Sequence, residues 1–148
     1  MSQEEYDVWR ERSERGYAVA IAASRDLDPA AAEATSRGDY AEMLPDGLAS
    51  ARMHLVTAVV DDEPVGAGWF EMRERASVTT AWIFDIALDE ERRGQGLGRA
   101  LLEALHGAAR DLGATSVSLN VFGDNPTAIR LYESSGYTVI AQQMKRDL

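Results

Sequence analysis

The most constraining feature of the chain is the passage from an apolar run to a glycine-rich turn at residues 82–99. It reads Trp-Ile-Phe-Asp-Ile-Ala-Leu-Asp-Glu-Glu-Arg-Arg-Gly-Gln-Gly-Leu-Gly-Arg, and an amphipathic stretch follows it. This order predicts a strand that leads into the first turn of a helix. Unpaired backbone N–H groups at such a turn can hold a phosphate anion, so the sequence predicts a phosphorylated ligand.

The glycines of this loop fit neither of two common phosphate-binding motifs. A Walker loop needs Lys and then Ser or Thr after its last glycine, whereas Gly98 is followed by Arg99 and Ala100. The dinucleotide fingerprint, counted from Gly94 and Gly96, needs its third glycine where Arg99 stands. Glycines that free the backbone and arginines that add positive charge suit a pyrophosphate. The alternative is a turn that only joins a strand to a helix.

Two blocks of the sequence resemble the GNAT superfamily of N-acetyltransferases. The first is Arg93-x-x-Gly96-x-Gly98, which is similar to the acetyl-CoA pyrophosphate loop of that superfamily. The second, residues 125–137, reads Asn-Pro-Thr-Ala-Ile-Arg-Leu-Tyr-Glu-Ser-Ser-Gly-Tyr. It resembles a later block in which Asn is followed by Ala, then Leu-Tyr, and a Gly-aromatic pair closes a helix. The resemblance covers residues 82–139 well and the N-terminal half only in outline.

The resemblance implies a set of residues that bind acetyl-CoA as co-substrate. The backbone at the end of the strand is expected to run alongside the pantetheine arm, with the N–H of Leu88 directed at the thioester oxygen. The glycine loop takes the pyrophosphate. Asn125 is expected to hydrogen-bond the cofactor, although Asn125-Pro126 is equally a good helix start. The implied cofactor-binding residues are Ile86, Ala87, Leu88, Arg93, Gly94, Gln95, Gly96, Leu97, Gly98, Arg99 and Asn125.

Tyr132 is the predicted general acid. It lies seven residues after Asn125, the spacing at which GNAT relatives place a tyrosine near the sulfur of coenzyme A. A phenol with a reference pKa of about 10 stays protonated at neutral pH and can protonate a departing thiolate. The alternative is that the Leu-Tyr pair on a short helix only packs in the core.

The general base is less well indicated by the sequence. Two positions at which GNAT relatives carry a glutamate hold Asn120 and Trp82 here, and neither side chain can take a proton. Asp85 is the most conspicuous remaining carboxylate because it interrupts an apolar strand, and Glu71 at the end of another strand is a second candidate. The alternative is that Asp85 anchors a hydrogen-bond network, or that water molecules carry the proton.

Composition and charge narrow the class of protein. A chain of 148 residues with 45% hydrophobic content predicts a single domain over residues 1–148. The chain has no cysteine, which excludes disulfides and thiolate ligands and suits the cytoplasm. A net charge of −10 disfavours binding to nucleic acid and favours acceptors that carry positive charge. The alternative is that the surface charge only keeps the protein soluble. No apolar run reaches membrane-spanning length, and His54 and His106 lack partners at metal-site spacing, so neither a membrane nor a metal is expected.

The hydrophobic periodicity predicts an α/β fold of mixed α+β type. In chain order we expect two helices, strands at 53–60, 64–70 and 78–88, a helix at 97–112, a strand through Val117, Leu119 and Val121, a helix at 126–135 and a closing strand at 137–144. This order, α-α-β-β-β-α-β-α-β, together with the resemblance, implies a GNAT-like central mixed, mostly antiparallel twisted sheet of five to seven strands with helices on both faces. Helix signals start almost at Met1. The sheet therefore either lacks the first edge strand of the family or gains one from another subunit, which makes a homodimer one expected assembly.

The resemblance predicts an acetyl-CoA-dependent N-acetyltransferase, a member of the acyltransferase class. We expect it to transfer an acetyl group to a primary amine of a small molecule or peptide by direct attack in a ternary complex, without a covalent enzyme intermediate. One alternative acceptor is a protein N-terminus or a lysine. A different class of function, suggested by the missing glutamates, is a non-catalytic module that senses acyl-CoA.

Overall fold

A computed structural model describes residues 1–146 and contains four α-helices and four β-strands within them. In chain order the elements are α1 (Gln3–Arg25), α2 (Pro29–Met43), β1 (Met53–Val60), β2 (Glu63–Arg75), β3 (Val78–Leu88), α3 (Leu97–Asp111), β4 (Ser116–Leu119) and α4 (Pro126–Ser134), with short 3-10 turns at Gly47–Ala49 and Glu90–Arg92. Among the helices of residues 1–146, none combines the length and the hydropathy that a membrane span requires.

The first two helices begin at side-chain caps. At α1, the Ser2 hydroxyl accepts a hydrogen bond from the N–H of Glu5 at 3.2 Å, and the Glu5 carboxylate accepts one from the N–H of Ser2. At α2, the Asp28 carboxylate accepts from the N–H groups of Ala30 and Ala31, and proline occupies the first helical position. These side chains satisfy backbone donors that a helix start otherwise leaves unpaired.

The four strands form one mixed sheet in the order β1-β2-β3-β4. The β1–β2 and β2–β3 pairs are antiparallel, whereas β4 runs parallel to β3. In the β2–β3 pair the register shifts, because Trp69 pairs with Asp85 and Phe70 pairs with Ile83. Phe84 is therefore the extra residue of a β-bulge in β3.

Helices cover both faces of the sheet, as expected. Neighbouring residues of β2 point to opposite faces, so Trp69 packs with α1 and α2 whereas Phe70 packs with α3. The buried residues of the first face are Tyr6, Trp9, Tyr40, Leu44, Leu55, Ala67 and Trp69. Those of the second face are Phe70, Met72, Ala81, Ile83, Leu101, Leu102, Leu105 and Ala109.

The strand count and the end of the chain differ from the prediction. Within residues 1–146 the sheet has four strands, so the expectation of five to seven is wrong for this part of the chain. The closing strand expected at 137–144 is not formed, although its sequence has strand character, because a strand exists only where a partner backbone pairs with it. The strand expected through Val121 ends at Leu119, because β4 pairs with β3 only as far as Ile83.

Candidate active site

We use the word cleft for the space beside residues 85–88 of β3, beyond the point where β4 stops pairing with that strand. The two strands pair from Thr80 with Ser116 to Ile83 with Leu119, and the ladder stops there. The rest of β3, residues 85–88, pairs only with β2, so its other edge has no strand partner among the residues that the structure describes. The bulge at Phe84 and the shortness of β4 therefore expose backbone groups in the middle of the fold.

The N–H groups of Ile86 and Leu88 face this open edge. Asp89 donates its N–H to the carbonyl of Val65 in β2 at 3.0 Å. Backbone N–H groups of successive strand residues point to alternate sides, so those of Leu88 and Ile86 point away from β2. The carbonyl of Leu88 also faces the open edge, where it accepts from Nε of Arg93 at 3.3 Å. The sequence-predicted backbone residues and Arg93 are thus brought together at one end of the cleft.

The loop after β3 has the conformation that an anion-binding turn requires. Gly94 has φ +74° and Gly96 has φ +79°, values that glycine adopts at little cost. Gly96 is the N-cap of α3 and supplies no side-chain cap, so no capping side chain pairs with the first N–H groups of that helix, beginning at Leu97. Gln95 donates its side-chain amide to the carbonyl of Glu91 at 2.9 Å, which ties the loop to the preceding turn.

The two arginines predicted to bind the cofactor have different partners. The Arg93 guanidinium lies 3.6 Å from the Glu90 carboxylate in an exposed ion pair, so it stays close to the loop. Arg99 instead donates to the Ser134 carbonyl and to the hydroxyls of Ser134 and Ser135 at the end of α4. Its side chain therefore links α3 to α4, while its backbone N–H belongs to the first turn of α3.

Asn125 caps α4 in the structure. Its side-chain oxygen accepts a hydrogen bond from the N–H of Ala128 at 3.0 Å, and Pro126 follows at the first helical position. The capping interpretation is therefore observed directly. The helix that this cap starts carries Leu131 and Tyr132 to the core face beneath β3 and α3.

Tyr132 is half-buried on α4 and packs against the core of the second face. Its ring centroid lies 5.5 Å from that of Tyr137. Burial raises the pKa of the Tyr132 phenol, and the negative charge of Asp85 raises that pKa further. The phenol is consequently a proton donor at neutral pH.

Asp85 lies in a hydrogen-bond network on the opposite face of the sheet. Its Oδ2 accepts from Nε1 of Trp9 and from Oγ of Ser13, both at 2.8 Å. The Ser13 hydroxyl is 2.7 Å from the hydroxyl of Tyr40, whose pKa burial raises well above its ordinary value. The alternative that Asp85 anchors a hydrogen-bond network is thus observed, and both hydrogen bonds go to its Oδ2 atom. Sequence reasoning missed Ser13 and Tyr40 as members, although a serine four residues after Trp9 on an otherwise apolar helix face was the available signal.

Glu71, the second carboxylate considered, is occupied by arginines. Its oxygens lie 2.7 Å from Nε of Arg73 and 3.6 Å from the guanidinium of Arg52. The Arg73 guanidinium also stacks over the ring of Trp82, 4.5 Å from its centroid. Two positive partners hold Glu71 in a fixed orientation, so its geometry suits a structural role.

Comparison with known families decides the class of the protein. The model of the acetyltransferase (GNAT) family matches residues 7–137. The chain belongs to the GNAT acetyltransferase family. The cleft beside β3, the glycine loop before α3 and the helix α4 are therefore parts of a GNAT N-acetyltransferase.

Named relatives agree with this assignment. The crystal structure of YycN from Bacillus subtilis has a TM-score of 0.94 at 30% identity and covers 100% of this chain and 95% of that chain. YdgE of the same organism, described as an uncharacterized N-acetyltransferase, is 30% identical over 150 residues, which cover 100% of this chain and 95% of the relative. The ribosomal protein bS18-alanine N-acetyltransferase of Escherichia coli is 46% identical over 57 residues, 38% of each chain.

The part of the GNAT chain that the structure describes contains no cluster of three or more side chains suited to a metal ion. His54 stacks on Phe70 with ring centroids 4.9 Å apart, and His106 lies 2.8 Å from the Tyr137 hydroxyl. The two histidines therefore belong to separate packing environments.

Proposed function

We propose that the protein transfers an acetyl group from acetyl-CoA to a primary amine by direct attack in a ternary complex. The observation that carries the proposal is the open edge of β3, where the N–H groups of Ile86 and Leu88 lead to the glycine loop. A row of outward backbone donors that ends at an uncapped helix start fits an amide-containing arm joined to a pyrophosphate.

The cofactor is proposed to lie along this edge. Residues 86–88 would accompany the pantetheine arm, and the N–H groups of residues 94–99 would hold the pyrophosphate, with the Arg93 guanidinium at its side. Both positive-φ glycines have open space where a Cβ would stand, so the loop is accessible to a ligand. Asn125 has its side-chain oxygen in the α4 cap, so its contribution to the cofactor would come from its amide group.

The reaction assigns one task to each group around the cleft. The amine nitrogen attacks the thioester carbon while the Leu88 N–H donates to the carbonyl oxygen, on which negative charge develops. Tyr132 gives its proton to the sulfur as the carbon–sulfur bond breaks. Asp85 receives the proton that the amine loses, through the carboxylate that Trp9 and Ser13 orient. The acetylated amine and coenzyme A leave, and Tyr132 and Asp85 regain their starting protonation through solvent.

The cofactor assignment is tested by two matched glycine variants. Gly96 at the start of α3 and Gly113 after its end both have positive φ, and neither has an atom within 4 Å of an added Cβ. Replacing either with alanine imposes a similar backbone strain, of order 1–2 kcal/mol. Calorimetry with acetyl-CoA should find about tenfold weaker binding to Gly96→Ala and unchanged binding to Gly113→Ala. Equal affinities for the two variants would remove the loop from the binding site.

The role of Asp85 is tested by the pH profile of kcat/KM. Asp85→Asn keeps the shape of the side chain but cannot take a proton, so the fall of activity on the acidic side should disappear along with most of the turnover. Ser13→Ala is the matched control, because it removes one hydrogen bond to Oδ2 and keeps the carboxylate. It should retain the acidic limb. If activity still falls at acidic pH in Asp85→Asn, Asp85 is not the base and water removes the proton from the amine.

The acceptor is the open part of the proposal. The E. coli relative is by its name an alanine N-acetyltransferase of ribosomal protein bS18, which supports a protein acceptor as the alternative to a small amine. The net charge of −10 suits a cationic acceptor of either kind. A panel of amines, lysine peptides and N-terminal peptides with acetyl-CoA, read by release of free thiol, separates these acceptors. Tight acetyl-CoA binding without thiol release for any acceptor would favour the non-catalytic sensor.

A cytoplasmic location is proposed on the cysteine-free composition alone.

A further inference from the structure

The side chain of Arg99, in the first turn of α3, is held by α4. Its Nη1 donates to the carbonyl of Ser134 and to the hydroxyl of Ser135, both at 3.1 Å. Its Nη2 donates to the hydroxyl of Ser134 at 2.7 Å. One guanidinium therefore makes three hydrogen bonds to two neighbouring residues. Such a set of bonds uses the fixed fork of arginine donors and keeps the side chain in one orientation.

These bonds reach the last turn of α4, where a helix leaves its backbone carbonyls without partners in the helix. α4 ends at Ser134, and the carbonyl of Ser134 is the one that accepts from Arg99. A positive charge at the C-terminal end of a helix is also favoured by the helix dipole. The Ser134 hydroxyl donates in turn to the carbonyl of Leu131 at 3.0 Å. Arg99 thus stabilises the end of α4 from a neighbouring helix.

The turn that Arg99 stabilises is the turn that carries Tyr132. The backbone carbonyl of Tyr132 accepts the N–H groups of Ser135 at 2.9 Å and of Tyr137 at 3.1 Å. Arg99 bonds to Ser134 and Ser135, so it holds one of the two residues that bond to the Tyr132 backbone. The position of the Tyr132 phenol therefore depends on the Arg99 side chain.

A second contact joins the same two helical turns. Cδ2 of Leu131 in α4 lies 3.5 Å from the point where a Cβ of Gly98 would stand, so Leu131 packs on the first turn of α3. Leu131 is the residue before Tyr132, and Gly98 is the residue before Arg99. The first turn of α3, whose N–H groups are proposed to hold the pyrophosphate, and the last turn of α4 are therefore packed directly against each other.

We infer that Arg99 is a positioning residue for Tyr132: its side chain holds the end of α4 in place, and only its backbone N–H belongs to the anion site. The resemblance to the GNAT family grouped Arg99 with the cofactor-binding residues, but the hydrogen bonds of its side chain support a different task. This role rests on the proposed function, because Tyr132 must be the general acid for its placement to affect the rate. A general acid acts only within hydrogen-bond distance, so a shift of the helix end lowers the rate.

A double-mutant cycle with Tyr132→Phe gives the first test. Arg99→Ala should lower kcat about tenfold, because a small misplacement of a reacting group is costly, and should leave the KM for acetyl-CoA unchanged. In the Tyr132→Phe background the same change should have no further effect on kcat, because the group that it misplaces is already gone. Arg110→Ala is the matched control, because it removes an exposed arginine from the last turn of α3. It should leave both constants unchanged.

The cycle separates failure of this role from failure of the proposed function. An equal loss of kcat in the two backgrounds overturns the inference and leaves Tyr132 as the acid, provided that Tyr132→Phe alone lowers turnover. Full turnover in Tyr132→Phe alone overturns the general acid of the proposed function, and the role of Arg99 with it.

A truncated substrate gives the second test, because it separates positioning from a direct ion pair with the pyrophosphate. S-acetylpantetheine has the thioester and the pantetheine arm but no pyrophosphate. If Arg99 positions Tyr132, Arg99→Ala lowers kcat/KM by the same factor for acetyl-CoA and for S-acetylpantetheine. A loss that is seen with acetyl-CoA and disappears with S-acetylpantetheine makes the Arg99 side chain a phosphate ligand and contradicts the inference.

The double variant Ser134→Ala/Ser135→Ala tests the same bonds from the side of α4. It removes two of the three acceptors of Arg99 and leaves the sequence of α3 and its loop unchanged. It should lower kcat several-fold, less than Arg99→Ala does because the bond to the Ser134 carbonyl remains, with the KM for acetyl-CoA unchanged. A natural kcat in this variant, folded by circular dichroism, contradicts the inference.

Discussion

The two halves of β3 differ in what their backbone can do. From Thr80 to Ile83 the strand is paired on both edges, and its side chains Ala81 and Ile83 are buried in the core. From Asp85 to Leu88 it is paired on one edge only. A single bulged residue, Phe84, separates the two halves. The same strand is therefore a core element in its first half and an open edge, proposed to bind the cofactor, in its second.

The difference also explains why polar groups gather at one place. On one face of the sheet, Tyr132 of α4 packs against the same core as Ile86 and Leu88, and on the other face lies the network around Asp85. In the first half the corresponding positions are filled by core side chains and by Trp82 beneath Arg73. An open strand edge lets groups from both faces act on one bound molecule, whereas a closed ladder separates them.

The largest effect is expected from Tyr132→Phe, which removes the proton donor at the second half of β3. Turnover should fall about 10²–10⁴-fold, the usual contribution of a general acid, while acetyl-CoA affinity stays within a few-fold. Tyr137→Phe is the matched control, because it removes the same atom from the neighbouring ring and loses a hydrogen bond to His106. Steady-state kinetics and calorimetry measure both. Similar turnover in the two variants would exclude Tyr132 as the acid.

The loss of activity at alkaline pH gives a second test of Tyr132 as the general acid. Burial and the charge of Asp85 raise the pKa of Tyr132, so its proton stays bound as the pH rises past the ordinary phenol range. Activity that is lost because Tyr132 ionises should therefore be lost only above a pH of about 10. In Asp85→Asn one cause of the raised pKa is gone, so the alkaline limb of the remaining activity should move to lower pH. A limb that does not move would mean that another group titrates.

A smaller loss of about 10²–10³-fold in kcat is expected from Leu88→Pro, which deletes the N–H at the open edge. Proline is tolerated in a strand where the N–H faces away from the ladder, so the β2–β3 pairing should persist. Leu88→Ala is the control, because it shortens the same side chain and keeps the N–H. Kinetics under saturating acetyl-CoA compare the two variants. Equal kcat values would mean that this donor does not stabilise the transition state.

The sequence predicted the parts of the site that depend on local chemistry. The cap of α4 at Asn125, the positive φ at Gly94 and Gly96 and the helix that follows them were all readable, because each rests on neighbouring residues. A network anchored by Asp85 was one of the alternatives, but its members were not readable, because Trp9 and Ser13 are more than 70 residues away along the chain. The missing closing strand has the same origin, since strand formation depends on a partner that local sequence does not specify.

Next in size is a stability effect at Gly66, which lies opposite Leu88 in the open half. A Cβ on Gly66 would come within 2.3 Å of the Ala87 carbonyl oxygen, so the backbone of the cofactor edge would have to shift. Gly66→Ala should lower the free energy of unfolding by about 1–3 kcal/mol and weaken acetyl-CoA binding. Gly107→Ala in α3 meets nothing within 4 Å and should raise the free energy of unfolding by up to about 1 kcal/mol. Denaturant unfolding measures both, and no destabilisation in Gly66→Ala would contradict the close approach.

The smallest effect is expected from Glu71→Gln in β2, which lies opposite the closed half of β3. Glu71 is paired with Trp82 across the ladder and is held by Arg73 and Arg52, so its charge is already used by structural partners. Turnover and its pH profile should stay those of the natural enzyme, and the free energy of unfolding should fall by about 1 kcal/mol at most, because both arginines are substantially exposed. Asp85→Asn, the same type of change beyond the bulge, should alter the pH profile. If Glu71→Gln alters it as well, the division of β3 into a structural and a functional half is wrong, because a carboxylate from the closed ladder then takes part in proton transfer.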